Sequence, residues 1–175
     1  MASIRTGFRI AHVLVITPSL AILAPSAIAL PQQAGTRIPG GCDVPISERT
    51  SETGCYLAAM TRLGALPATT MYWHLYRYST RAAAEAVKTE TGTVVESLGH
   101  IWVHTIAAQD WRAAGGERVA VLGPLHVSAD RPYTARYMEA TFAPGMQTSV
   151  HRHSGAEAWF VLTGAQCLET PNGII

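Results

Sequence analysis

Residues 145–164 read GMQTSVHRHSGAEAWFVLTG, and this stretch decides the fold class of the chain. Residues two apart on a β-strand point to the same face, so His151 and His153 are expected to project side by side. On a helix the two imidazoles would diverge by about 200° and could not share an ion. Ser154-Gly155 predicts a turn, after which Glu157 returns on the next strand toward both imidazoles.

These three side chains form a metal-ligand set. His151 and His153 offer neutral nitrogens and Glu157 offers a carboxylate, a combination that suits iron, manganese, zinc, copper or nickel. Arg152 lies between the two histidines and is expected to point away from them, as a solvated residue. The sequence therefore predicts a divalent transition-metal site, with no catalytic residue and no organic cofactor assigned.

Short predicted strands surround this hairpin in quick succession. They cover 118–122, 133–142, 147–153, 157–162 and 166–169. Turn formers such as Pro144 and Gly164 stand between them, and no helical pattern interrupts the run. Many short strands without intervening helices favour an antiparallel barrel or sandwich.

The 145–164 stretch resembles the first conserved motif of the cupin superfamily: a glycine, five residues, His-x-His, three or four residues, a glutamate, six residues and a glycine. The fixed positions are all matched, by Gly145, His151, His153, Glu157 and Gly164. The resemblance covers about residues 116–175. It implies a mostly β fold with a cupin-like antiparallel β-barrel, a metal held by the matched histidines and glutamate, and dimerisation through sheet edges.

The sequence departs from the family after Gly164, where no second motif supplies the usual fourth ligand, a histidine. The other histidines outside the N-terminal segment precede the motif and lack the second motif's spacing: His74, His100, His104 and His126. Asn172-Gly173 is a strong hairpin signal, but its return strand has two residues and leaves an edge unpaired. The sequence thus predicts a truncated, incomplete barrel, and a fragment that does not fold stably is a further alternative.

The resemblance implies an exported cupin-domain protein that binds a metal through this half-site and acts on, or binds, a small organic molecule, with dioxygenase-like chemistry one option. The alternative is a non-catalytic module that binds or senses a small molecule. A barrel that binds no metal stays open as well. Met138 and Trp159, on neighbouring predicted strands, are expected to line the pocket.

Residues 51–115 predict a small α+β region. Strands are expected at 55–66 and 71–78, then a helix capped by Thr80 and ended by Gly92, then a hairpin of 93–96 and 100–106. The last of these strands carries His100, Trp102 and His104 at alternating positions, which favours a packed sheet face over a second metal site. The pair Gly115-Gly116 predicts the boundary to the barrel.

Residues 1–29 are typical of a secretory signal peptide. Arg5 and Arg9 precede an apolar stretch, and Ala27-Ile28-Ala29 offers a small-x-small cleavage site, followed by a Pro- and Gly-rich linker over 30–50. Export to the periplasm or the medium is expected. An uncleaved membrane anchor is the alternative reading, although no stable anchor is predicted because the apolar stretch contains prolines.

Charge and cysteines narrow the choice of partners. The formal net charge is +1 and no basic patch is present, so a nucleic-acid partner is not expected. In an oxidising compartment Cys42 and Cys55 can form a disulfide, but two free buried cysteines are an equal alternative. Cys167 lies in a predicted strand and is expected to pack there as a small apolar side chain.

Overall fold

The computed structural model describes residues 8–18, 42–67, 69–144, 146–171 and 173–174. A short 3-10 helix, Ile46–Glu48, precedes most of the regular structure. The strands are β1 Phe8–Pro18, β2 Gly54–Ala65, β3 Thr70–Tyr78, β4 Gly92–Ser97, β5 His100–Ala107, β6 Glu117–His126, β7 Pro132–Phe142, β8 Glu157–Thr163, β9 Glu169–Thr170 and β10 Gly173–Ile174, and the α-helix is α1 Arg81–Val87.

Two four-stranded antiparallel sheets form the body of the protein. Sheet I has the strand order β2-β7-β1-β8, and sheet II has the order β4-β5-β3-β6. Edge strands of the two sheets approach each other, β6 beside β8 and β2 beside β4. The mostly β, antiparallel prediction is confirmed. Over the described residues the two sheets stay separate and neither closes into a barrel.

Both sheets combine strands from either side of Gly115-Gly116. In sheet I, β2 pairs with β7, with Cys55 opposite Ala140. In sheet II, β3 pairs with β6, with Met71 opposite Leu125. These pairings join residues far apart in the chain. Each sheet is therefore built from strands that lie on both sides of Gly115-Gly116.

The main hydrophobic core lies between the sheets. Sheet II contributes Trp73 and Trp102, and sheet I contributes Tyr137, all with no exposed surface. Alternate residues on each strand face this core, as the period of two predicts for a strand. Removing one such aromatic side chain costs about 3–5 kcal/mol, so these three residues anchor the two sheets to each other.

Strand β1 lies inside sheet I, between β7 and β8. It comes from the segment predicted as a signal peptide; the rest of that segment, residues 1–7 and 19–29, lies outside the described residues. Leu14, Val15 and Ile16 are buried in it. Among the described residues, no helix has the length and apolar character needed to cross a membrane. Cleavage of residues 1–29 stays a prediction.

Several local predictions are confirmed. Strand β3 and the β4–β5 hairpin form where expected. Helix α1 begins after Thr80, whose hydroxyl accepts a hydrogen bond from the Ala83 amide at 3.1 Å. The helix ends at Val87, earlier than predicted, and Gly92 instead begins β4.

Two predicted strands near the end of the chain are wrong. Residues 147–153 are irregular, because every one of them is exposed and none pairs with a neighbouring strand. Of the predicted 166–169 strand only Glu169 is extended, at the start of β9, and Cys167 is an exposed free thiol and not a packed side chain. Strands β9 and β10 do form a hairpin, with Gly173 opposite Thr170.

Cys42 and Cys55 form a disulfide, which decides between the two alternatives left open by the sequence. Cys55 is buried on the outer face of sheet I with Val15, Met138 and Ala140. The bridge ties the chain segment before β2 to this face, and it restricts the unfolded chain.

A buried carboxylate connects the sheets at one end. Glu139, 1% exposed on β7, accepts hydrogen bonds from Ser97 Oγ at 2.5 Å and the Leu98 amide at 3.0 Å. It also forms an ion pair with Arg49. Leu98 and Gly99 turn the β4–β5 hairpin with positive φ angles of 51° and 75°. Glu139 therefore holds a turn in which Leu98 is in a conformation unfavourable for a side chain of its size.

Candidate metal centre

The three predicted ligands lie where the irregular segment after β7 enters β8. His151 and His153 belong to the irregular segment, and both are exposed. Glu157 is the first residue of β8 and is partly buried. It pairs with Val15 of β1, so the strand inside sheet I fixes the backbone of this ligand.

The structure brings the three side chains together. One ligand atom from each of His151, His153 and Glu157 lies within 4.8 Å of the others. His153 Nε2 is 3.0 Å from Glu157 Oε2, and the two imidazole centroids are 4.7 Å apart with their planes at 88°. No other such group of histidine, cysteine and carboxylate side chains occurs in the part of the chain that the structure describes.

A hydrogen bond selects the tautomer of His151. Its Nδ1 lies 2.8 Å from the Ser149 carbonyl oxygen. Because a carbonyl oxygen only accepts, Nδ1 carries the proton in the neutral ring, and Nε2 keeps a free lone pair. A backbone acceptor that orients a histidine in this way is typical of metal-ligating histidines.

The electrostatics of the group oppose charge on His153 and on Glu157. Burial raises the pKa of Glu157 to about 7, against an opposing effect of His151. Burial also lowers the pKa of His153, and the positive charges of His151 and Arg136 act in the same direction. Near neutral pH these effects favour an uncharged His153 ring and a partly protonated Glu157 carboxyl group.

Glu157 does not point into the space between the sheets. On β8, Ala158, Phe160 and Leu162 contact the inter-sheet core. Because side chains alternate along a strand, Glu157 faces the opposite side, as does its β1 neighbour Val15 in the outer cluster. Glu157 therefore lies on the outer face of sheet I, at its rim.

A shallow groove of about 430 Å³ lies beside His153. His126, the last residue of β6, and Arg131, in the loop that follows, both line it. The Tyr133 hydroxyl accepts a hydrogen bond from the Ser128 amide at 2.7 Å, which fixes this loop. The volume is within the range of small-molecule pockets, although the groove is open.

No motif in the sequence indicates a role for His126 or Arg131 at this site. Both are at least twenty residues from the His-x-His pair, and each is an ordinary surface residue in its own stretch. The end of β6 and the loop after it reach the His153 side of the molecule only because β7 pairs with β1. No local pattern could have indicated this position.

Met138 and Trp159, expected to line the pocket, lie on the outer face of sheet I. Met138 is buried with Cys55 and Val15, and Trp159 packs against the same cluster. They support the strand that carries Glu157, and the groove beside His153 is lined by other residues.

Two histidines of sheet II, His74 and His104, are packing residues, and for His104 this is what the sequence favoured. His104 is fully buried, and its Nδ1 accepts a hydrogen bond from Trp73 Nε1 at 2.8 Å. His74 is also fully buried, with Nε2 2.8 Å from the Ala108 carbonyl oxygen and its ring against Trp111. These hydrogen bonds and ring contacts account for the burial of both histidines.

Fold and site together define a two-sheet antiparallel β protein with an exposed His-His-Glu group at the rim of one sheet. Comparisons with protein-family models, with curated proteins and with solved structures found no match to this chain. The residues of the site themselves are therefore what indicates a function.

Proposed function

We propose that this protein binds a divalent transition metal through His151, His153 and Glu157 and presents it to a small organic molecule. The observation that carries the proposal is the convergence of the three donor atoms to within 4.8 Å. Two nitrogens and one carboxylate in a single group suit iron, manganese, zinc, copper or nickel. Further support is the carbonyl that orients His151.

Three protein ligands leave coordination positions for an external molecule. The groove beside His153 offers space of about 430 Å³ for one, with Arg131 and His126 as polar contacts. A bound metal would act there as a Lewis acid or a redox centre. The chain's own residues orient His151 through Ser149 and keep Glu157 partly shielded from water.

The resemblance to the first cupin motif supports the same proposal at the level of the family. The matched positions include the ligands that the structure gathers, and the fold around them is antiparallel β. We propose a cupin-related protein on this basis. Dimerisation through sheet edges belongs to the same proposal.

The direct test is metal binding by the purified full chain. Titration with each of the five metals by calorimetry, and metal analysis after dialysis, should show one ion per chain. His153→Ala should weaken binding about 100-fold, because one nitrogen ligand and its contact with Glu157 are lost. The matched control is Arg152→Ala, which removes an exposed neighbour and leaves the ligands intact.

Equal metal content in His153→Ala and in Arg152→Ala would refute the site. A second measurement separates an enzyme from a binding module. Oxygen uptake by iron-loaded protein in the presence of phenols or thiols would support the enzyme. Ligand binding of equal strength with and without metal would support the module.

Export to the periplasm or the medium is a further part of the proposal. It is supported by the Cys42–Cys55 disulfide, since such bridges persist in oxidising compartments. Cell fractionation with a thiol-reactive gel shift tests it. The expected result is a fraction outside the cytoplasm in which only Cys167 reacts.

A further inference from the structure

The cleft between β7 and β8 is filled by a strand from a distant part of the chain. Strand β1 pairs antiparallel with β7 on one side and with β8 on the other. Consequently β7 and β8 run parallel to each other, separated by two inter-strand spacings, or roughly 10 Å. Without β1, both would present unpaired backbone groups to this cleft.

The cleft selects for an extended strand that is apolar on both faces. Leu14 and Ile16 belong to the inter-sheet core and have no exposed surface. Val15 faces the opposite side and is buried in the outer cluster with Cys55 and Met138. A strand buried on both faces needs a continuous apolar run and not an alternating one. The same property explains why this stretch also fits the pattern of a signal peptide.

The cleft continues into the segment that carries the metal ligands. The Ile16 amide donates a hydrogen bond to the Ala156 carbonyl at 2.9 Å. At Gly155 an added Cβ would overlap the Ile16 carbonyl oxygen, so the two backbones touch there. This contact depends on a residue without a side chain, and it is formed with β1 only.

We infer that the cleft between β7 and β8 is a binding site for one extended apolar peptide strand, and that Phe8–Pro18 is its occupant and remains bound without a covalent link. The inference does not depend on metal binding. It assigns to the predicted signal segment a second role as an integral strand of sheet I.

The test cuts the chain after folding. A protease recognition sequence inserted after Gly35 allows the folded full-length protein to be cleaved between β1 and β2 in the chain. The N-terminal piece is expected to co-elute with the remainder in gel filtration and to separate only in denaturant. Native release of the piece, with an unchanged melting temperature of the remainder, would overturn the inference.

A pair of variants tests the specificity of the cleft. Ile16→Asp places a charge in the inter-sheet core, and it should release the cleaved piece under native conditions. Met60→Asp, on the edge strand β2 at a position that is 62% exposed, should retain it. Equal retention by the two variants would contradict a role for β1 side chains in binding.

A third measurement applies even where Ile16→Asp folds poorly. A labelled peptide of residues 8–18 should exchange into the cleaved wild-type complex with saturable binding. A scrambled peptide of the same composition is the control and should bind at least tenfold more weakly. Equal binding of both peptides would show nonspecific apolar adsorption and would overturn the inference.

Discussion

Two histidine pairs in this protein have the same residue types and opposite environments. His74 and His104 lie in sheet II, fully buried, and each has a hydrogen bond and aromatic contacts. His151 and His153 lie in an irregular segment, exposed to solvent, and converge on Glu157. The first pair contributes to packing, whereas the second pair is available to a ligand.

The difference shows what makes a histidine a candidate ligand. His104 Nδ1 is already occupied by the Trp73 indole N–H, and the ring is stacked on Trp73 with centroids 5.3 Å apart. A metal would have to displace these contacts. His151 Nε2, by contrast, keeps its lone pair, and one nitrogen of this ring lies within 4.8 Å of a Glu157 oxygen. Alternation along a strand is common to both pairs, so it does not distinguish them.

The largest expected effect is on stability. His104→Ala should lower the free energy of unfolding by about 3 kcal/mol, because it leaves a cavity and deprives the buried Trp73 N–H of its acceptor. His100→Ala, on the same strand but half-buried, should cost under about 1 kcal/mol. Urea denaturation measures both. Similar losses of unfolding free energy in the two variants would mean that burial of His104 and its contact with Trp73 do not stabilise the fold.

The next effect concerns the exposed pair. Gly155→Ala should weaken metal binding at least about tenfold although all three ligands remain, because its Cβ would overlap the Ile16 carbonyl and displace the ligand segment. Ser154→Ala, at the neighbouring exposed position, is the control and should bind as the wild type does. Calorimetric titration compares them. An unchanged affinity for metal in Gly155→Ala would show that the contact with strand β1 does not position the ligands.

A smaller effect depends on pH. Burial, the largest contribution, lowers the pKa of His74 below 6.5. The unfolded chain therefore takes up a proton before the folded protein does, and His74 makes stability fall as pH drops below 6.5, by at most about 1.4 kcal/mol per pH unit. Glu157 has the opposite effect between pH 7 and 4.5, because its folded pKa is raised to about 7.

His74→Gln isolates the contribution of His74, since its amide can still donate to the Ala108 carbonyl. The wild type's advantage in unfolding free energy over this variant should shrink as the pH falls from 7 to 5. Urea denaturation at several pH values measures it. A constant difference over that range would show that His74 does not titrate differently in the two states.

The smallest expected change in unfolding free energy is at the β4–β5 turn. Leu98→Asn should raise the unfolding free energy by about 0.5 kcal/mol, because asparagine tolerates a φ of 51° better than leucine does. Gly99→Ala should lower it by about 1 kcal/mol for the converse reason. Opposite signs in thermal melts are expected, and equal signs would contradict the turn assignment.

Much of the local structure could be predicted from the sequence. The cap by Thr80 and the β4–β5 hairpin depend on a few adjacent residues, and both form as expected. Residues 147–153 were mistaken for a strand, because two histidines at alternating positions match the period of two. A strand also needs a partner, and no partner pairs with this segment in the described structure.

The candidate site was predictable because its ligands are close in sequence. His151, His153 and Glu157 span seven residues, so any turn that returns the chain brings them together. The face of the sheet on which Glu157 lies was not predictable. It depends on which side of β8 packs against sheet II, and a shift of one residue would reverse it.

The sequence by itself determined the residue types of the metal group, the mostly β character and the positions of the turns. The tertiary structure decided that Cys42 pairs with Cys55, that β2 pairs with β7, and that Phe8–Pro18 lies between β7 and β8. The physical reason is that turn and capping preferences act over a few residues. Pairing between distant strands depends on burial of both faces and on register, and these are properties of the whole folded chain.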